Sequence, residues 1–416
     1  MIKSDILDNG LCLLTESMPD VRSISLGAWL TRGSRDEGEG KGNSGIAHFT
    51  EHMLFKGTTR RSAEEIAQQV DSIGGQLDAF TAKECASYYI KILDEHLPQA
   101  VDLLSDLLLR PAFKSVDVDR ERKVIQEEIK MVEDIPDELV HELYTETFWP
   151  NHSLGRPILG SVDSINEITS ESLRHFFDQT YVAENLVVAV AGHLEHSSVR
   201  DLIENAFSDL SSRETVDDTV VPIAKPGLHV CVKDIEQSHL CIGLEGYSQV
   251  DDKRYSSYVF NTVLGGSMSS RLFQNIREKR GLAYAVNSGL ESYRDVGLLT
   301  IYAGCDSASV REVVDLVIAE LSALKTSLVS DSELQRAKDH LKGNLVLGLE
   351  STASRMAQLA RSEIYFGRQI DLSENLKNLD KVTAEDIRCV ANDFFKKDRL
   401  AVTILGPESD PVLSVN

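Results

Sequence analysis

A chain of 416 residues is too long for one ordinary hydrophobic core and points to two domains of about 200 residues each. Hydrophobic residues at 42% and charged residues at 26% describe a globular chain, and no run approaches the roughly 20 apolar residues that span a membrane. A chain with a formal net charge of -23 repels nucleic acid, whose binding rests on basic patches; the charge suits attraction of basic peptides or plain solubility.

The opening MIKSDILDNG has neither the basic-then-apolar pattern of a secretion signal nor the Arg-rich character of an organelle presequence, so a cytoplasmic location is expected. Cys12, Cys85, Cys231, Cys241, Cys305 and Cys389 form no CxxC or other metal-type spacing. Scattered thiols of this kind fit a reducing compartment without a disulfide framework.

In chain order, the first strand pattern is GLCLLTES at 10–17. At 48–52 the chain reads His-Phe-Thr-Glu-His. On a helix, residues four apart lie one turn apart on one face. His48 and His52 can then aim ring nitrogens at one ion about 2.0–2.1 Å away. Glu51 projects to the same side, placed to take a proton from water held at the ion. Ile46, Phe49 and Met53 form one apolar stripe; His48, Glu51, His52 and Phe55 form the opposite one. The helix is therefore expected to be buried on both sides. Two imidazoles and a carboxylate in a core are costly unless an ion pairs them. The alternative is two satisfied core histidines beside a glutamate, and a third ligand weighs against it.

The run AFTAKECASYYIKIL at 79–93 reads as a strand, and HLPQAVDLLSDLL at 96–108 as an amphipathic helix. Residues 121–132 read as another helix with an apolar stripe of Val124, Ile125, Ile129 and Val132. On the helical wheel Glu128 falls inside that stripe, Glu121 lies two turns earlier on the same face, and Glu127 points about 100° away. A carboxylate on a buried face needs a partner. Glu128 is thus the preferred third ligand, and Glu121 the preferred group to hold a histidine or Glu128 in place. Glu127, Glu133 and Glu138 read as ordinary solvated charge.

The chain then repeats itself. ValAspLeu at 101–103 recurs at 314–316, a shift of 213, and ITSESLR at 168–174 matches VTAEDIR at 382–388, a shift of 214. At that second shift Leu186 meets Leu400 and Gly192 meets Gly406, in the strand patterns NLVVAVAGHLE and RLAVTILGPES. The polar stretch SSRETVDDTVVPIAKP reads as a linker. The reading is a duplicated domain: residues 1–212 carry the metal motif, 213–226 link, and 227–416 form a homologous half. Each half mixes strands and helices in an irregular order, which predicts an α+β fold with a mostly antiparallel sheet and helices on one face. At the 213 shift His48, Glu51, His52 and Glu128 fall on Asn261, Leu264, Gly265 and Leu341, so the second half keeps the fold without the ligands.

These residues resemble the pitrilysin family of metallopeptidases, the inverted zincins with HxxEH. The resemblance runs through GIAHFTEHMLFKGT (45–58), GGQLDAFTAKECASYY (74–89), ERKVIQEEI (121–129), LGRPILG (154–160) and REKRGLAYAV (277–286). Within the family the chain is most similar to bacterial zinc peptidases of the mitochondrial-processing-peptidase type. The resemblance implies one Zn2+ per chain on His48, His52 and Glu128, with Glu51 as general base and Glu121 in support. It implies that Arg277 and Tyr284, which by residue type alone read as a surface arginine and a core tyrosine, contact substrate near the scissile bond. It implies that Phe55 lines the pocket just after the cleavage point. Leu77, Asp78, Ala79, Phe80 and Thr81 match an edge strand that receives the substrate as an added strand; Asp78 stands where many relatives have asparagine. Four such domains make the family's clam shell, so a two-domain chain implies a homodimer in which Arg277 and Tyr284 reach the partner's zinc site. The expected function is zinc-dependent endopeptidase action on extended or unfolded peptides. The competing expectation is a non-catalytic peptide-binding or scaffolding subunit of the same fold.

Overall fold

The structure, a computed structural model, describes residues 2–38, 41–213 and 220–408, so residues 214–219 of the expected linker lie outside the described residues. The first half runs β1 (Ile2–Ile6), β2 (Cys12–Ser17), β3 (Ser23–Leu30), α1 (Ile46–Leu54), α2 (Ala63–Ser72), β4 (Gln76–Thr81), β5 (Ala86–Leu93) and α3 (Leu97–Leu109). It continues through α4 (Ser115–Asp134), α5 (Pro136–Phe148), α6 (Val162–Glu167), α7 (Ser170–Thr180), β6 (Leu186–Gly192) and α8 (His196–Ala206). The second half runs β7 (Gly227–Val232), β8 (Ser238–Gly246), α9 (Arg254–Leu264), β9 (Ala283–Ser292), β10 (Gly297–Cys305) and α10 (Val310–Thr326). Then come α11 (Asp331–Gly348), α12 (Thr352–Phe366), α13 (Leu372–Lys381), α14 (Ala384–Phe394) and β11 (Ala401–Gly406).

Two compact units result. The first comprises Met1–Lys130, Arg156–Thr219 and Gly348–Gln369; the second comprises Met131–Gly155, Val220–Leu347 and Ile370–Asn416. The first unit holds a sheet of order β1-β2-β6-β3-β5-β4, the second a sheet of order β7-β11-β8-β10-β9. Among the described residues only β2–β6 and β7–β11 are parallel pairs; the other pairs are antiparallel. Without β1 the two orders correspond strand for strand. The repeat read from the sequence is thus a repeat of topology, in the α+β class expected.

Each sheet buries one face under several helices. In the first unit Leu26, Ile90 and Val188 meet Phe49 of α1, Leu104 of α3, Leu173 of α7 and Ile203 of α8. In the second, Ile242, Ile301 and Val402 meet Phe260 of α9, Val314 of α10 and Val390 of α14. Against the opposite face of each sheet lies a helix drawn from the other half of the chain. Trp29 and Val187 of the first sheet pack against Met356 and Leu359 of α12. The Trp29 indole N–H points at the Met356 sulfur at 3.0 Å. In the second unit Tyr144 and Phe148 of α5 pack against Cys241, Leu298 and Leu405. The fit is close enough to demand glycine: a Cβ at Gly243 would sit 1.3 Å from the Tyr144 hydroxyl.

The run 79–93, expected as one strand, is two. Its start ends β4, residues 82–85 turn, and β5 begins at Ala86. The turn carries no glycine or proline. It is held instead by the segment before α1, where the Ser34 and Arg35 amides donate to the carbonyls of Ala82 and Lys83 at 3.0 and 2.8 Å. Arg35 and Glu84 complete the junction with a buried ion pair at 2.7 Å. Strand β4 is an outer strand of its sheet, paired only with β5. Among the described residues no helix is long and apolar enough to cross a membrane. All six cysteines are free thiols.

Candidate metal centre

Helix α1 begins at Gly45, whose φ of 90° lies in the left-handed region where a side chain is strained. A Cβ there would also meet the Leu159 carbonyl oxygen at 2.6 Å. Glycine at the N-cap position offers no side chain to satisfy the first-turn amides. Glu37 supplies what is missing: its two carboxylate oxygens accept from the Gly45 and Ala47 amides, each at 3.0 Å. Burial pushes the Glu37 carboxyl up to about 8, against the pull of those two amides. The sequence reading did not single out Glu37.

From this fixed start, α1 places His48 and His52 one turn apart. Their rings meet edge to face with centroids 4.6 Å apart. Helix α4 brings Glu128 to them: its Oε2 lies 3.8 Å from His48 Nε2 and 3.6 Å from His52 Nε2. One ligand atom from each of the three lies within 4.8 Å of the others, and no further cluster of this kind occurs among the described residues. Separations of 3.6–3.8 Å are too long for hydrogen bonds. They approach the roughly 3.4 Å expected between donors of a tetrahedral ion with bonds near 2.0–2.1 Å.

His48 is also in the right chemical state to donate. Burial, and next the neighbouring His52, pushes the His48 ring down to about 3, so it stays neutral with a lone pair to give. Its Nδ1 is buried without a hydrogen-bond partner, so packing alone orients that ring. His52 is oriented differently: its Nδ1 lies 3.2 Å from Glu121 Oε2, and Glu121 Oε1 lies 2.8 Å from Lys56 Nζ. A carboxylate at Nδ1 fixes the proton there and turns the Nε2 lone pair toward Glu128. The donor set of two imidazoles and a carboxylate fits zinc.

Two readings of helix faces need correction. The buried stripe of α4 is Val118, Glu121, Ile125 and Ile129. Val124 is 49% exposed, and the Glu128 side chain is 40% exposed. Glu128 thus sits at the rim of the buried stripe, open on the side that faces the histidines, and it is Glu121 that is buried. On α1, burial covers Ile46, Ala47, His48, Phe49, Thr50, Met53 and Leu54, while Glu51, His52 and Phe55 are only partly covered. One side of the helix is core and the other opens toward the site.

Glu51 lies beside the cluster. Its Oε2 accepts the Thr81 hydroxyl at 2.5 Å. Burial raises its carboxyl above the ordinary carboxylate range, and the Thr81 hydrogen bond pulls the other way. Phe55 ends α1, 6.4 Å from the Tyr88 ring centre. On β4, Leu77 and Ala79 turn toward the core face, Phe80 packs beside Trp29 on the other face, and the Tyr89 hydroxyl donates to Asp78 at 3.0 Å. Arg277 and Tyr284 belong to the second unit. Arg277 lies in the last turn of a π-helical segment, Phe273–Glu278, and its guanidinium lies 5.0 Å from the centre of the Tyr284 ring at the start of β9. Tyr284 is 78% exposed, so it is no core tyrosine. In that unit the positions matching the ligands are structural. Asn261 accepts from Ser288, and a Cβ at Gly265 would strike Ser288 Oγ at 2.6 Å.

Comparison with known proteins matches two sequence families. One, described as insulinase (peptidase family M16), covers residues 12–162; the other, described as the peptidase M16 inactive domain, covers residues 167–341. An uncharacterized zinc protease of Streptomyces coelicolor is 39% identical over 98% of this chain and 90% of its own length. Another, of Bacillus subtilis, is 39% identical over 99% of both chains. The fold is shared with a protease from Helicobacter pylori at a TM-score of 0.91 and 23% identity, covering 98% of this chain and 99% of that one. A peptidase M16 inactive domain from Pseudomonas fluorescens gives 0.91 at 22% identity, covering 98% of both.

Proposed function

The chain belongs to peptidase family M16 and is a metalloendopeptidase, and on that premise we propose that it hydrolyses extended or unfolded peptides at a zinc ion held by His48, His52 and Glu128. The observation that carries the proposal is the convergence of those three donors beside Glu51. When bound, zinc supplies a Lewis acid that lowers the pKa of water toward about 7 and polarises a carbonyl. Glu51 takes the proton of the attacking water and later returns it to the leaving amine. Burial raises its carboxyl above the ordinary range, which is the direction that favours a proton acceptor. Glu121 holds the His52 tautomer.

The outer edge of β4, Leu77 to Thr81, binds the substrate main chain as an added strand, which makes sequence selectivity loose. Phe55 lines the pocket for the residue after the cleaved bond. Arg277 and exposed Tyr284 contact the substrate, with Tyr284 donating to the developing oxyanion. Residues 1–212 supply the metal and 227–416 the complementary surface. We take the assembly to be a homodimer enclosing a chamber, of the processing-peptidase type, acting in the cytoplasm with one zinc per chain and a leaning to basic peptides from the net charge of -23. The family described as inactive matches residues 167–341, which include much of the half lacking the ligands, and this fits such a division of labour.

The test is hydrolysis of a fluorogenic peptide library by the wild type and by Glu51→Gln, with and without chelator. The expected result is cleavage that chelator abolishes, zinc restores and Glu51→Gln lacks. A zinc-loaded wild type that binds peptides without cleaving them would instead indicate a binding or scaffolding subunit.

A further inference from the structure

We propose that Thr81 is a positioning residue for the general base, and that its hydroxyl couples the substrate-binding strand to Glu51; the inference rests on the reading of Glu51 as the base. Thr81 is the last residue of β4, in register with Ala86 of β5. Side chains on a strand alternate between faces. Leu77 and Ala79 pack into the core beneath α1, and Phe80 packs on the opposite face. By the same period Thr81 points to the α1 side, where its hydroxyl donates to Glu51 Oε2 at 2.5 Å. The other Glu51 oxygen accepts no hydrogen bond among the described residues. One oxygen is thus held and the other is left for a proton in transfer.

Both ends of this contact are anchored by one short segment. Ser34 and Arg35 pair with Ala82 and Lys83, the residues that follow Thr81. Gly33 permits the approach, because a Cβ there would lie 2.2 Å from the Ala82 carbonyl oxygen. Two residues beyond Arg35, Glu37 grips the first turn of α1 through Gly45 and Ala47. Segment 33–37 therefore clasps the end of β4 and the start of the helix that carries Glu51. The Thr81 hydroxyl and the Glu51 carboxylate are thus held together by backbone pairing on the strand side and by the Glu37 carboxylate on the helix side. A carboxylate free to rotate would spend part of its time away from the water; one held at Oε2 is pre-oriented. The residue whose backbone belongs to the substrate strand thereby also sets the base.

The test compares Thr81→Val, which keeps the shape and removes the hydroxyl, with Thr81→Ser, which keeps the hydroxyl and removes the methyl. Steady-state kinetics on one fluorogenic peptide, zinc content and melting temperature are measured for both, alongside wild type and Glu51→Gln. Losing a hydrogen bond to a charged acceptor predicts that Thr81→Val lowers kcat by about 10- to 100-fold, with KM changed by less than about twofold. Thr81→Ser is expected within about threefold of wild type; zinc content is expected unchanged in both variants, and both are expected to be fully folded at the assay temperature. If Thr81→Val keeps wild-type kcat while Glu51→Gln is inactive, the coupling is refuted and the base assignment stands. A loss confined to KM makes Thr81 a substrate contact only, which also overturns the proposal. If Glu51→Gln itself turns over normally, the base assignment fails and the proposal falls with it.

Discussion

Replacing Glu121 by glutamine tests how the zinc ligands are held. In the structure one oxygen of Glu121 faces His52 Nδ1 at 3.2 Å and the other faces Lys56 Nζ at 2.8 Å. Both neighbours are donors, and a carboxylate satisfies both. A glutamine amide of the same shape carries one acceptor and one donor. If its oxygen serves His52, its NH2 group faces the lysine ammonium; if it turns over, the NH2 group faces the imidazole N–H. Either way one donor meets another in a site where Glu121 is only 6% exposed. His52 then loses the contact that fixes its tautomer. Groups that support a metal-bound histidine are worth about 10- to 100-fold in metal affinity, which at 1.36 kcal/mol per tenfold is about 1.4–2.7 kcal/mol. The assay is competition between the protein and a chromophoric chelator of known zinc affinity. Glu121→Gln is expected to bind zinc about 10- to 100-fold more weakly than wild type. An affinity within twofold of wild type would refute the claim that Glu121 orients His52.

Two further outcomes are expected. The Arg35–Glu84 pair is buried to within 2% on both sides, so Arg35→Met leaves Glu84 buried without that guanidinium. Loss of about 3–5 kcal/mol in denaturant unfolding is expected, and a loss below 1 kcal/mol would show that the pair is dispensable. In the second unit, Arg271 grips Glu333 with two hydrogen bonds at 2.8 and 2.9 Å and holds its carboxyl below the ordinary 4.5. A lowered carboxyl stabilises the fold above the ordinary value, and that contribution is lost as pH falls through the folded value. The melting temperature of wild type should therefore drop more steeply below pH 4.5 than that of Glu333→Gln; parallel acid curves would contradict this.

The metal helix was legible because a local spacing carries it: histidines four apart share a face whatever surrounds them. Glu128 was reached by a wheel argument whose premise fails. The buried carboxylate of α4 is Glu121, and Glu128 stands at the rim, because Val124 faces outward and not into the core. The contributions of Thr81 and Glu37 were not legible. Each depends on two segments meeting in space, Glu37 across the loop before α1 and Thr81 across 30 residues. The turn at 82–85 was missed for a related reason. Its residues Ala82, Lys83, Glu84 and Cys85 carry no turn signal, and the bend is imposed by contacts with residues 33–35. The duplication predicted matching sheets, which are present. It did not predict that α5 and α12 would each join the unit built mainly from the other half of the chain. An amphipathic pattern shows that a helix has a face to bury, not which sheet will cover it.

The central claim is that one zinc ion sits between His48, His52 and Glu128. The most direct test is anomalous X-ray scattering above and below the zinc absorption edge, from crystals of protein that hydrolyses peptide. The account predicts one peak per chain, within about 2.0–2.2 Å of His48 Nε2, His52 Nε2 and a Glu128 carboxylate oxygen. An active protein with no zinc peak there, or with its zinc bound elsewhere, would contradict it.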